Sequence, residues 1–278
     1  MHADAFFAVS AAILGLCIGS FLNVVAWRAP LGQSVVAPPS ACPACGRRIR
    51  WYENIPILSW IILGARCAGC RGRISVRYPL GELATGLCFL AAALHSGPTA
   101  GFIREAVFLS LLILTVQTDL THWLVLDEAS IGGTVAGLIL SLTPGGIGMV
   151  RSVATAAGAF LLFLAIRLVS LLVLRRRPDY VLPPEGMEDE EGFDGGMGWG
   201  DIKLAACIGA FLGPRPTAVA VFIAFVAGAA VGLFLMALGR HERRRPIPFG
   251  PFLALGGAIA LFAGDPIASA YLSIAGLL

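Results

Sequence analysis

The chain has 278 residues, of which 57% are hydrophobic and 13% charged, with a formal net charge of +3. A soluble globular domain is about 25% charged, so this composition excludes one and points to a chain that crosses a membrane repeatedly. The small net charge says little as a total, and no nucleic acid is expected as a partner; how the charge is distributed says more.

The first apolar run is Phe6 to Trp27. A cleaved signal would open on basic residues and have a shorter apolar core. Here the start is Met1-His2-Ala3-Asp4 and the basic residues follow from Arg28. We read residues 1–28 as a retained first transmembrane helix with its N-terminus outside. A polar stretch, Ala29 to Tyr78, comes next. Further apolar runs follow at Leu80–His95, Ile103–Thr118, Glu128–Leu142, Val150–Leu174, Ile202–Leu212, Ala218–Leu238 and Pro251–Leu277. At about 20 residues per span, the expected fold is an all-α polytopic bundle of about eight transmembrane helices with one sizeable loop subdomain at 29–78. The rest, 79–278, forms the membrane-embedded part. Many runs are rich in Gly and Ala, which lets membrane helices pack closely. The short run Ile202–Leu212 is expected to begin inside the bundle.

Alternating the spans places Arg28, Arg47, Arg48, Arg50, Arg66, Arg71, Arg73 and Arg77 on one side, with Arg175, Arg176, Arg177, Arg240, Arg243, Arg244 and Arg245. The other side receives only Arg104, Arg151 and Arg215. Basic loops stay in the cytoplasm, so the first set faces inward. Arg167 lies within a span and is expected to snorkel toward the cytoplasmic face. Residues 175–196 carry Glu185, Glu188, Asp189, Glu190, Glu191 and Asp194 without apolar periodicity. They are expected to form a mobile acidic cytoplasmic loop; the alternative is that they attract a basic substrate segment toward Asp201.

The first inward loop contains Cys42-Pro43-Ala44-Cys45 and Cys67-Ala68-Gly69-Cys70. Two CxxC pairs match a structural zinc site of four thiolates. Two hairpin knuckles, helped by Gly46 and Gly72, would close on the metal. The nearby arginines would offset its net double negative charge. Disulfides are disfavoured in a reducing compartment. Cys17, Cys88 and Cys207 lie in apolar runs and read as small buried hydrophobes.

Two aspartates border apolar segments: Asp119 after Val107–Val116, and Asp201 after Gly195-Gly196-Met197-Gly198-Trp199-Gly200. Carboxylates near lipid are costly and are functional candidates by default. Both fall on the cytoplasmic side of the expected topology. Two carboxyls sharing one site can act as general base and general acid, which is the chemistry of an aspartic peptidase. The competing structural role is helix capping, since Asp is a preferred cap. The residues alone leave these two readings level. Asp127 reads as a cap, Asp265 before Pro266 as the start of a turn, and Lys203 as an inward anchor rather than a charge partner.

The motifs taken together resemble the type IV prepilin peptidase family, the bifunctional leader peptidase and N-methyltransferase. Gly19-Ser20-Phe21-Leu22-Asn23-Val24-Val25 with Arg28 and Pro30 is similar to the family's first-helix signature. The two CxxC pairs, Glu53-Asn54-Ile55-Pro56, Leu58-Ser59-Trp60, Ile74–Pro79 and Glu82-Leu83 resemble its cytoplasmic loop. Asp119-Leu120 with Leu126-Asp127 resembles the segment of its first catalytic aspartate, although the family has proline where Leu126 stands. Gly196–Leu204 resembles its glycine–aspartate motif, and Ile247–Pro251 its last segment.

The resemblance implies that Asp119 and Asp201 are catalytic. It implies an enzyme of the bacterial inner membrane that removes the basic leader from prepilins or pseudopilins at the cytoplasmic face. It also implies methylation of the new N-terminus with S-adenosylmethionine, for which no glycine-rich cofactor loop is visible in the residues. The alternative is a non-catalytic transporter or assembly scaffold whose acids carry ions or cap helices.

Overall fold

The computed structural model describes residues 2–174, 197–238 and 247–276. The acidic stretch 185–194 and the arginines at 175–177, 240 and 243–245 lie outside the described residues. Every expected apolar run is a helix: α1 (His2–Arg28), α3 (Arg77–Ser96), α4 (Ala100–His122), α5 (Asp127–Leu140), α6 (Met149–Leu174), α7 (Trp199–Leu212), α8 (Pro214–Ala237) and α9 (Gly250–Ile274). A short helix, α2 (Leu58–Ile62), lies in the loop. Among the described residues there are no strands, only two isolated bridges, Ala41 with Arg48 and Arg66 with Arg73.

Among the described residues, five segments are long and apolar enough to cross a membrane: Asp4–Leu31, Ala100–His122, Met149–Val173, Pro214–Ala237 and Gly250–Ile274. The remaining long helices differ for physical reasons. Helix α3 begins on Arg77 and carries Glu82. Helices α5 and α7 have 14 residues each, about 21 Å at 1.5 Å per residue, against an apolar thickness of about 30 Å.

The chain divides into two compact units, Met1–Leu126 and Asp127–Leu278. In the first unit, α1 packs on α3 through glycines four residues apart. A Cβ on Gly15 would come 2.8 Å from the Cβ of Phe89, and one on Gly19 would come 2.8 Å from the Cα of Glu82. Van der Waals contact between closely apposed backbones is what holds helices together in lipid. Helix α4 completes this unit. It is capped at its start by Thr99, whose hydroxyl accepts from the Gly101 amide at 3.1 Å.

In the second unit, α7 is the enclosed element. Every residue from Leu204 to Leu212 is buried, and so is Ile202. Helices α5, α6, α8 and α9 pack against it. Its enclosure explains how a helix too short to span is tolerated, because its ends meet protein rather than lipid. The Ser152 hydroxyl donates to the Ala210 carbonyl at 2.6 Å. A Cβ on Gly209 would come 2.8 Å from the Thr155 carbonyl oxygen, so α6 and α7 touch backbone to backbone.

Helix α9 runs through Pro266 without ending, so Asp265 does not start a turn. Proline removes one helical hydrogen bond, but two residues earlier Gly264 lies against Pro216 of α8, where a Cβ would come 2.6 Å from that ring. Tertiary packing holds the helix past its local breaker.

Candidate functional site

The cysteine loop forms two knuckles built the same way, 25 residues apart. In the first, the Cys42 amide donates to the Arg47 carbonyl at 2.9 Å and the Gly46 amide to the Cys42 carbonyl at 2.9 Å. In the second, the Cys67 amide donates to the Gly72 carbonyl at 2.8 Å and the Arg71 amide to the Cys67 carbonyl at 3.0 Å. The left-handed position is Gly46 in the first, at φ 69, and Arg71 in the second, at φ 61. Gly72 therefore does not supply the turn expected of it. It supplies room, since a Cβ there would come 3.3 Å from Cys70 Sγ.

The four sulfurs of Cys42, Cys45, Cys67 and Cys70 lie within 4.8 Å of one another, and Cys42 Sγ is 3.9 Å from Cys70 Sγ. Sulfurs 2.3 Å from a tetrahedral metal would stand about 3.8 Å apart. A closed four-thiolate metal site fits this cluster with only slight contraction. Backbone amides of Cys70 and Gly69 stabilise the Cys67 thiolate and lower its pKa to about 6. The Gly72 amide favours the Cys70 thiolate, but hydrogen bonding with Cys45, burial and the neighbouring Cys67 and Cys42 outweigh it, and its pKa is pushed up to about 11.

Arg47 ties the knuckles together. Its guanidinium donates to Glu53 Oε1 at 2.7 Å, its charge is favoured by the neighbouring Cys67 sulfur, and its stem crosses Gly69, where a Cβ would come 2.8 Å from Arg47 Cδ. The Glu53 carboxyl is held below its usual range, first by Arg47 and then by the Arg50 amide. The loop is anchored to the helices at two points. The Ile57 amide donates to Glu82 Oε2 at 2.7 Å, and the Asn23 amide group donates to the Tyr78 carbonyl at 3.1 Å.

Asp119 lies in the last turn of α4, 6% exposed. Its carbonyl accepts from the amide of Trp123, the left-handed residue that ends the helix. It cannot cap a helix start, and the C-terminal end of the helix dipole opposes its charge. Asp201 is half-buried in the first turn of α7, where the dipole favours charge. The N-cap of α7 is Gly198, so Asp201 stands inside the first turn and not at the cap position itself. Gly198 has φ −66, an ordinary value. What it provides is open space facing Asp201 Oδ2, which would lie 3.6 Å from a Cβ at that position.

Two residues around Asp201 depart from expectation. Arg167 does not snorkel. It is 7% exposed, its guanidinium donates to the Met197 carbonyl, and it stands 5.0 Å from the centre of the Trp199 ring. It clamps the strand of chain that enters α7. The sequence signal was there, a lone arginine inside a span, but its partner 30 residues away was not visible. Lys203 is a charge partner, with Nζ 2.6 Å from Asp127 Oδ1 at the start of α5.

Comparison with known proteins gives two family matches. Residues 13–96 match the Bacterial Peptidase A24 N-terminal domain, and residues 106–233 match the Type IV leader peptidase family. Among curated relatives named "Prepilin leader peptidase/N-methyltransferase", the Myxococcus xanthus protein is 42% identical over 86% of this chain and 66% of its own length. The Burkholderia pseudomallei (strain 1026b) protein is 37% identical over 92% of this chain and 85% of its own. The Aeromonas hydrophila protein is 32% identical over 94% and 92%. No solved structure matches the chain. This chain belongs to the type IV leader peptidase family.

Proposed function

We propose that this chain is a membrane aspartic endopeptidase that removes the basic leader from type IV prepilins or pseudopilins and methylates the new N-terminus. The observation that carries the reading is the match of residues 106–233 to the Type IV leader peptidase family, a span that holds both Asp119 and Asp201. Asp119 lies in the last turn of α4 and Asp201 in the first turn of α7, next to the Met197 carbonyl that Arg167 holds. In the reaction, water attacks the scissile carbonyl as Asp201 takes its proton. Asp119 gives its proton to the carbonyl oxygen as the diol forms; when the C–N bond breaks, Asp201 passes the proton it took from water to the leaving amine, and the diol returns a proton to Asp119. Each such proton transfer contributes about 10²–10⁴-fold.

The site stands at the cytoplasmic face of the bacterial inner membrane, with the N-terminus outside, as the arginine asymmetry supports. The substrate's apolar helix lies against the bundle. Residues 1–28 form the first span, 29–78 a cytoplasmic subdomain and 79–278 the peptidase. Zn²⁺, held by Cys42, Cys45, Cys67 and Cys70, fixes the subdomain's fold. S-adenosylmethionine supplies the methyl group. No observation favours a transporter or scaffold.

The test is the product's N-terminal mass after the purified protein meets a prepilin and S-adenosylmethionine. Asp119→Asn or Asp201→Asn should abolish cleavage while the variants keep the wild-type circular dichroism. Cleavage by both variants would refute the reading.

A further inference from the structure

Between its two knuckles the cysteine loop carries an apolar run. From Ile55 to Leu63 the only polar residue is Ser59. The run is far shorter than the roughly 20 residues a span needs. Within it lies α2, and one side of α2 is used inward. Ser59 is buried, its Oγ accepting from the Ile55 amide and donating to the Tyr52 carbonyl, both at 2.9 Å. The Trp60 indole donates to the Ile74 carbonyl at 3.2 Å. The other side presents Leu58, Ile61 and Ile62, at positions i, i+3 and i+4 of one helix face. All three are exposed, Ile61 by 62% and Ile62 by 73%. A helix face turned to water is ordinarily polar. Trp51 and Tyr52, in the turn that Ser59 joins to α2, are exposed as well.

The level of α2 explains this face. The Ile57 amide, at the entrance to α2, donates to Glu82 Oε2 at 2.7 Å. Glu82 stands five residues into α3 from Arg77, about 8 Å along the helix. Its Cα is level with Gly19 of α1, where a Cβ would come 2.8 Å from it. Gly19 lies nine residues before Arg28, the end of α1, about 14 Å along that helix, and inside a segment able to cross a membrane. A glutamate side chain leans toward its helix start over about one turn. The start of α2 is therefore at or inside the level of Arg28 and Arg77, the basic ends that meet lipid headgroups.

Charge points the same way. Residues 29–78 hold one acidic residue, Glu53, against seven arginines, and Glu53 is paired with Arg47. Arg48, Arg50, Arg66, Arg71, Arg73 and Arg77 are all exposed. The loop stays basic even around a doubly negative metal–thiolate centre, which suits the anionic surface of a cytoplasmic leaflet. Tryptophan and tyrosine are the residues enriched at such an interface.

We propose that residues 51–62 are an interfacial anchor: α2 lies in the cytoplasmic leaflet with Leu58, Ile61 and Ile62 among the upper acyl chains, while the arginines of the loop meet phosphate headgroups. Interfacial helices bury an apolar face by about 5–10 Å in this way. The anchor fixes the cysteine knuckles at the membrane surface. It rests on the cytoplasmic placement of the loop proposed above, and not on the peptidase chemistry.

The experiment uses the full zinc-loaded chain in nanodiscs of phosphatidylethanolamine and phosphatidylglycerol. The photoreactive residue p-benzoylphenylalanine replaces Ile62. After irradiation, mass spectrometry should find phospholipid on the peptide that carries position 62. The same residue replacing Leu87, exposed on α3, gives the reference yield for a position within the bilayer. Ile61→Asp, placed beside the probe, should lower the yield at position 62 severalfold, because a carboxylate opposes insertion. Unchanged zinc content and circular dichroism show that this variant is folded.

Adducts to protein alone would overturn the proposal. A second copy in the adduct would make the face a dimer contact, added prepilin would make it a substrate surface, and a peptide from residues 127–278 would make it a contact within the chain. Position 62 free of lipid while position 87 carries it would overturn it too, as would an undiminished yield in Ile61→Asp. Leader cleavage by a protein without lipid at position 62 would sink the anchor alone. Lipid at position 62 in a protein that cleaves nothing would count against the peptidase and support the anchor.

Discussion

Replacing Arg167 with methionine tests whether the entry to α7 is held in place for catalysis. The side chain is 7% exposed and makes two contacts with the glycine loop, a hydrogen bond to the Met197 carbonyl and a stack on Trp199. A hydrogen bond to a charged group is worth about 1.5–3 kcal/mol, and a desolvated cation–π contact about 2 kcal/mol. Methionine fills much of the volume and removes the cost of burying a charge, which offsets part of the loss. A net release of about 3 kcal/mol at the loop corresponds to roughly a hundredfold, and a displacement of about 1 Å near a reacting group has the same scale.

The assay is leader removal from a purified prepilin, with kcat and KM measured separately. The expected result is a kcat lowered roughly a hundredfold with KM little changed, since Arg167 is buried and offers a substrate little surface. Arg167→Lys keeps the charge but loses the planar stack, so it should recover about tenfold of that loss. Zinc content should be unaffected, because the knuckles belong to the first unit. A methionine variant that cleaves at the wild-type rate, or one whose defect lies wholly in KM, would refute the clamp.

Cys67→Ser should remove bound zinc, read by atomic absorption, and open residues 40–75 to trypsin, because metal binding and folding of the loop are coupled. Arg71→Gly should stabilise the loop by up to about 1 kcal/mol in chemical denaturation, since a left-handed residue with a Cβ costs about 1–2 kcal/mol and part of that returns as glycine's unfolded-state entropy. The Glu53 carboxyl is held low by Arg47, so its contribution is complete above the ordinary carboxylate pKa. It is lost only as pH falls through the depressed value. The stability gap between metal-free wild type and Glu53→Gln should therefore persist from pH 7 to pH 5 and close in stronger acid.

The order and type of the elements were legible in the sequence because lipid imposes a length and a polarity on every span. Phe6–Trp27 and Val150–Leu174 could hardly be anything but helices. The cysteine site was legible because metal-ligand spacing is local to each knuckle, and the bridging of the two pairs follows from tetrahedral thiolate chemistry. Asp119 and Asp201 stood out because charge is scarce in such a chain.

Contacts between distant residues were a different matter. Nothing local told Arg167 to turn inward onto Met197, Lys203 to find Asp127, or α9 to continue past Pro266. Arg71 rather than Gly72 takes the left-handed position because hydrogen-bond register, not residue preference, sets it. The bond from the Ile57 amide to the buried Glu82, beside a cavity, emerged only when the loop was folded against α1 and α3. Local chemistry wrote the helices and the knuckles into the sequence. Which buried charges are satisfied, and by what, was decided by packing, because in a low-dielectric interior a partner's position matters more than its identity.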